Sequence, residues 1–230
     1  MIRFLFMAIL GVVSLGSHAQ NIRFSLQAGA AVPLGEFAKD DVHPENGGFA
    51  QTGFDMKFLG ERIFENNFVA GMNIGFSMFG IDKDALKKFI NPDNPELVRA
   101  ETQAFQNINL QFRGGYNWKV TNENLHLKPF IDAGFGVFNS AYYAIQDNGG
   151  DTYLKSGNTG FSLLLSPGLD VTLMVNDFVG ITIYGTYQFA NYKVEEEYTV
   201  SGNPTNPIYN QTQEYKYSSM CFGLGANVTL

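Results

Sequence analysis

From Phe161 to Val175 the chain reads FSLLLSPGLDVTLMV. In an extended strand successive side chains point to opposite sides. One face therefore carries Phe161, Leu163, Leu165, Pro167, Leu169, Val171, Leu173 and Val175, and the other Ser162, Ser166, Gly168, Asp170 and Thr172. The C-terminal stretch repeats the pattern. Met220, Phe222, Leu224, Ala226, Val228 and Leu230 alternate with Cys221, Gly223, Gly225, Asn227 and Thr229. A soluble sheet rarely ends on so apolar a free edge, because that edge templates aggregation. Strands of this kind fit a closed wall with one face against lipid.

Working outward, the same alternation marks Ile22–Ala31, Phe49–Phe58, Phe68–Phe79, Phe105–Trp118, Leu127–Tyr143, Gly160–Val175, Val179–Tyr192 and Tyr215–Leu230. Segments of about ten residues, alternating and even in number, are the signature of an outer-membrane barrel. The connections alternate in length as well. Leu59–Asn67, Lys119–His126 and Asn176–Phe178 are short, whereas Val32–Gly48, Gly80–Ala104, Ala144–Thr159 and Lys193–Glu214 are long. Short periplasmic turns and long external loops are the rule in such barrels. Asp40-Asp41, Asp82-Lys83-Asp84, Lys87-Lys88 and Glu195-Glu196-Glu197 all fall in the long connections. Tyr116, Trp118, Tyr142, Tyr143, Tyr187, Phe189, Tyr192, Tyr215 and Tyr217 gather toward strand ends, where interfacial girdles are expected. The expected fold is all-β: an eight-stranded antiparallel up-and-down transmembrane barrel, with its last strand paired to its first.

A soluble lipocalin-type barrel is the competing reading, since alternation alone does not say which face points inward. Its outer face would need the lysines and glutamates that keep it dissolved. Here the polar face is mostly Gly, Ser, Asn and Thr, which suits a crowded lumen. Composition agrees: the 230 residues include 25 Gly, 21 Phe and 11 Tyr, and only 16% are charged. The net charge of −7, with no run of Lys or Arg, argues against nucleic-acid binding. A lone Cys221 permits neither an internal disulfide nor a Cys-based zinc site.

The N-terminus MIRFLFMAILGVVSLGSHA has a basic Arg3, an apolar run and a small-residue ending. That is the layout of a secretory signal peptide, with cleavage between Ala19 and Gln20. The expected organisation is a signal peptide over 1–19 and one barrel domain over 20–230.

The strand Phe24-Ser25-Leu26-Gln27-Ala28-Gly29 runs into Val32-Pro33-Leu34-Gly35-Glu36-Phe37, and later come the Gly-rich FIDAGFGVF (Phe130–Phe138) and FGLGANVTL (Phe222–Leu230). In these the chain resembles the small outer-membrane β-barrel proteins of the Bacteroidota, the group that includes PorT-type proteins. The resemblance implies an outer-membrane location and suggests an accessory role in protein secretion. Such barrels commonly end in an aromatic residue; this one ends in Leu230.

Eight strands leave a lumen just wide enough for side chains, so inward charges become the informative residues. By face these are Arg23, Asp55, Lys57, Arg113, Lys128, Asp132 and Asp170. Setting Trp118 opposite Leu127 places Arg113 opposite Asp132, and the tight turn at Asn176–Phe178 sets Asp170 opposite Tyr184. One lumenal network, Arg113–Asp132–Asp170–Tyr184, is expected to plug the barrel, with a proton or ion path as the alternative.

Catalytic devices fare poorly. After signal cleavage only His43 and His126 remain, one in the first external loop and one in a periplasmic turn. They cannot form one acid–base pair. The stretch Asp147-Asn148-Gly149-Gly150-Asp151 lacks the spacing of a calcium loop and reads as a turn. Asp82, then Ala85, Leu86, Phe89 and Ile90 ahead of Asn91-Pro92, reads as a short amphipathic helix on the rim. No cofactor or metal is expected. The expected function is non-enzymatic: external loops that bind a protein or polysaccharide partner, or an envelope-structural role, with outer-membrane lipid and the barrel-insertion machinery as further partners. A narrow channel for ions or small solutes is the alternative; a lipid-modifying enzyme ranks last.

Overall fold

The computed structural model describes residues 22–39, 49–91, 93–120, 124–146, 152–155, 157–201 and 208–230. Among these residues the strands are, in chain order, β1 (Ile22–Pro33), β2 (Ala50–Ile63), β3 (Phe68–Ile81), β4 (Arg99–Thr102), β5 (Phe105–Tyr116), β6 (Trp118–Val120), β7 (Leu125–Asn139), β8 (Tyr143–Gln146), β9 (Thr152–Lys155), β10 (Thr159–Met174), β11 (Val179–Ser201) and β12 (Ile208–Thr229). Eight of them, β1, β2, β3, β5, β7, β10, β11 and β12, each pair antiparallel with the next, and β12 pairs with β1. The chain is an eight-stranded, up-and-down β-barrel of the outer-membrane type.

Alternation decides the faces. On β10 the residues Phe161, Leu163, Leu169 and Leu173 point outward and are exposed, while Leu164, Ser166 and Asp170 are buried. The outward rows of the other strands match it, with Leu26, Phe58, Ile74, Phe112, Phe135, Ile183 and Leu224 among the exposed residues. This belt is apolar all round the wall, as a lipid-facing surface requires. The strand ladder satisfies the backbone, which hydrocarbon cannot do.

The turns at one end are tight. Between β2 and β3 the Phe64 amide donates to the Phe68 carbonyl at 2.8 Å, with Asn67 left-handed at φ 65°. Between β10 and β11 the Asn176 side chain accepts from the amides of Phe178 and Val179. Both connections expected after β2 and β5 are shorter than the sequence suggested. β2 runs on to Ile63, and β6 continues β5 along β7, pairing Trp118 with Leu127.

The opposite end is built up. β11 and β12 stay paired out to Thr199 and Ile208. From Phe189, the last outward apolar residue of β11, to Ser201 is about 40 Å of strand. β9 joins the edge of β11, β8 joins β9, and β4 joins β8, making a platform sheet above the belt. Helix α1 (Lys83–Ile90) starts at Asp82, whose side chain accepts from the amides of Asp84 and Ala85. Leu86, Val98, Ala141 and Ile145 are buried beneath this assembly. The helix read from the sequence is therefore part of a cap whose buried side chains continue the apolar cluster formed by Phe37, Phe79, Phe105 and Phe138.

The closing seam explains the glycines near the C-terminus. Gly29 on β1 faces Gly223 on β12. A Cβ at Gly29 would lie 2.0 Å from the Phe222 carbonyl oxygen, and one at Gly223 2.2 Å from that of Ala28. Beyond them the Leu230 amide donates to the Ile22 carbonyl at 2.8 Å, so Leu230 is tied to the first residue of β1.

Candidate functional site

The candidate site is the lumen. Among the described residues four inward cations, Arg23, Lys57, Arg113 and Lys128, meet four inward carboxylates, Asp55, Glu61, Asp132 and Asp170, and all are buried. Arg113 is the hub. Register sets it opposite Asp132, and its guanidinium donates to both carboxylate oxygens at 2.7 and 2.9 Å. A third N–H donates to Asp170 Oδ2 at 2.9 Å. The same group lies over the Phe130 ring, 3.5 Å from its centroid. Lys128 joins Asp170 at 3.1 Å and also contacts Glu61, and Asn73 donates to Asp132 at 2.7 Å. Opposite charges in equal number, each hydrogen-bonded, are the condition under which buried charge is tolerated.

Tyr184 corrects the expected network. It lies opposite Asp170 in register, but its hydroxyl donates to Asp55 Oδ2 at 3.0 Å. The reason lies in the next positions of the same row. Tyr184 is followed across the wall by Gly223, then Gly29, then Asp55. Two inward glycines leave the ring free to span them. Asp55 also accepts from Ser77 at 2.8 Å and pairs with Lys57 at 3.5 Å. Lys57 donates to Thr186 at 3.1 Å. Arg113, Asp132 and Asp170 thus form one cluster and Tyr184 belongs to a second. Sequence reasoning missed Glu61, because Leu59 faces inward among polar residues and breaks the alternation there.

His126 is not in a turn. It stands near the start of β7 facing inward, with Nδ1 3.5 Å from an Arg23 guanidinium nitrogen. His43, the 147–151 stretch, and Ala19 and Gln20 lie outside the described residues. Among the described residues no group of three or more His, Cys, Asp or Glu is placed to hold a metal.

Above the charges the lumen is filled by rings. Phe37, on a 3-10 turn (Gly35–Ala38) following β1, packs against Phe79, Phe105, Phe138 and Tyr217 at centroid distances of 5.1–5.9 Å. Tyr192 stacks on Phe138 at 5.1 Å. Three tyrosines expected in an interfacial girdle, Tyr192, Tyr215 and Tyr217, are therefore buried in a plug. They occupy the inward phase of their strands, whereas Trp118, Tyr187 and Phe189 keep the outward, exposed positions.

Comparison with solved structures places the fold. The chain is similar to a major outer membrane protein from Thermus thermophilus, with a TM-score of 0.51 and 11% identity over 91% of this chain and 99% of that one. It also matches Ail, the attachment invasion locus protein of Yersinia pestis, with a TM-score of 0.45 and 13% identity over 92% and 99%. The match to Neisserial surface protein A has a TM-score of 0.43 and 11% identity over 91% and 97%. At such identities the likeness is one of fold. No protein-family model and no curated protein sequence matches the chain.

Above the plug stands a last buried ion pair. Lys155 on β9 meets Glu196 on β11 at 2.8 Å, and the Tyr215 hydroxyl accepts from Lys155 at 2.5 Å and donates to Glu196 at 2.6 Å. Burial holds the Lys155 ammonium below its ordinary range, against the pull of Glu196. Burial, then Glu196, pushes the Tyr143 phenol up. Glu196 was expected in an open loop; the continuation of β11 carries it inward instead.

Proposed function

We propose that the chain is an integral protein of the bacterial outer membrane, exported by its N-terminal leader and cleaved between Ala19 and Gln20. In this reading it is non-enzymatic and closed at rest, and its external platform binds a protein or surface polysaccharide. One observation carries it: the end with long connections is closed by packed rings, and above them the chain is folded into a sheet and a helix. An eight-stranded wall has no width left for a wide pore once its lumen is filled. What it offers to the outside is the platform, where Arg99, Glu101, Gln146, Glu195 and Glu197 are exposed. Lipid around the apolar belt and the barrel-insertion machinery are the remaining partners.

A photo-crosslinking side chain at position 99, 101 or 146 in intact cells tests the reading. The expected result is one defined adduct from platform positions, absent from belt positions such as 110. No adduct at any platform position would overturn it. The absence of catalysis predicts an unchanged lipid A profile when the gene is deleted. The resemblance to PorT-type barrels adds a narrower proposal, an accessory role in secretion, and predicts that the same deletion leaves normally secreted cargo inside the cell.

A further inference from the structure

The lumen beneath the rings carries polar atoms that no protein group satisfies. Asn109 has no partner for either amide atom, and Asn107 Nδ2, Gln111 Oε1 and Gln188 Nε2 are equally unpartnered, all on buried side chains. Asn107, Asn109 and Gln111 are successive inward residues of β5 directly below Phe105. Lower down, Asn73 Oδ1, both amide atoms of Asn117 and one Arg23 nitrogen continue the series toward the end with short turns. Buried amides in native proteins are paired with protein or with ordered water. A polar lumen with such atoms along its length offers a line of sites to water.

That file ends at a dry layer. Phe37, Phe79, Phe105 and Phe138 are each at most 2% exposed, and above them the next polar group is the Tyr215–Lys155–Glu196 cluster. A ring of apolar side chains across a narrow wet passage closes it by excluding water. Three of the four stand on barrel strands. Phe37 alone comes from a 3-10 turn. That turn is fastened by the Leu34 amide and carbonyl bonded to Ser218, and by an exposed Glu36–Lys216 ion pair at 3.1 Å. It can withdraw without breaking a rung of the barrel.

We propose that the lumen is a water-filled proton path closed at one point by this phenylalanine layer, with Phe37 as the movable gate. The passage is for protons, because the fixed charges around Arg113 occupy the cross-section a hydrated ion would need. Carboxylates and hydroxyls of the two clusters, Asp132 and Asp170 in one and Asp55, Ser77 and Tyr184 in the other, can pass a proton along through intervening water. A proton entering at one mouth is matched by one leaving at the other, and no group changes its net protonation. The proposal is independent of any external partner.

The test uses the mature chain in liposomes with an internal pH-sensitive dye, a pH step outside, and valinomycin with potassium to compensate charge. Wild type is expected at the level of lipid alone. Phe37→Ala is expected to raise proton influx roughly tenfold without discrete ion-channel steps. Adding Asn109→Leu, which dries the file, should return influx to background. A second route leaves the ring intact: Glu36→Lys sets like charges against Lys216 and should raise influx several-fold, and Glu36→Lys with Lys216→Glu should restore the closed state. The proposal fails if folded Phe37→Ala and Glu36→Lys both stay at background. It also fails if the gained flux survives Asn109→Leu, since that describes a general leak.

Discussion

Replacing Arg113 by leucine removes the cation on which the lower cluster is built. Lys128 would still contact Glu61 and Asp170, whereas Asp132 would be left with the Asn73 amide at 2.7 Å as its remaining side-chain donor, so the uncompensated charge falls mainly there. An uncompensated buried charge of this kind costs about 3–5 kcal/mol. The cation over the Phe130 ring adds about 0.5–2 kcal/mol, part of which leucine returns by packing on the same ring. Asp132→Leu alone should cost less, since Arg113 keeps Asp170 at 2.9 Å. The double variant removes both charges together and leaves three cations facing three carboxylates. It should recover most of the loss, giving a coupling of about 2–3 kcal/mol. The chain has one tryptophan, Trp118, on the outer wall and 57% exposed, so its fluorescence reports when the barrel leaves the bilayer. Urea unfolding from lipid vesicles, read by that signal, supplies the three free energies. A cost under about 1 kcal/mol for Arg113→Leu, the size of an exposed pair, would show that Asp132 is not left as an uncompensated buried charge. So would single-variant costs that simply add.

Gly223→Val should prevent closure, because a Cβ there lies 2.2 Å from the Ala28 carbonyl oxygen; the compact band of the unheated barrel on gels should disappear. Gly185→Ala, where a Cβ meets nothing within 4 Å, should change stability by no more than about 0.5 kcal/mol. Asp82→Ala should cost about 0.5–2 kcal/mol, seen as faster amide exchange confined to Lys83–Ile90. The Asp82 carboxylate is held below its ordinary 3.8, first by the Ala85 amide, so its contribution is complete above pH 3.8 and lost as pH falls below it. Wild-type exchange in the helix should accelerate there, and Asp82→Ala should not share that acceleration. Lys155, held below its ordinary 10.5 by burial, binds fewer protons in the folded chain, so platform stability should rise as pH climbs toward 10.5. Tyr143, shifted up from 10.0, works against this only above pH 10. Amide exchange of Tyr143–Gln146 across that range checks the sign, and Lys155→Met should abolish the rise.

The wall was legible because its signal is local. Each strand declares its faces through alternation, as Leu163 and Asp170 do, and tight turns transmit register from one strand to the next. Hence Arg113 could be set opposite Asp132, and Asp170 opposite Tyr184, by counting back from two turns. What stayed hidden depends on closure. The partner of Tyr184 is two glycines and a seam away, on a strand more than a hundred residues distant in the chain. Glu61 was obscured because Leu59 and Ile63 put apolar side chains into the inward row. β4, β8 and β9 are four residues each, too short to show a period, and they form only because the β11–β12 hairpin offers an edge. Phe37 carried no strand signal at all; its meaning appears only when Phe79, Phe105 and Phe138 converge around it.

This barrel is closed at rest, its lumen crossed by a neutral charge network below and shut by packed rings above. Single-channel recording of the wild-type protein in planar bilayers tests it most directly. A closed barrel should insert stably and show no discrete conductance steps at moderate voltage and high salt. Sustained open-channel steps from the folded wild-type barrel would contradict it.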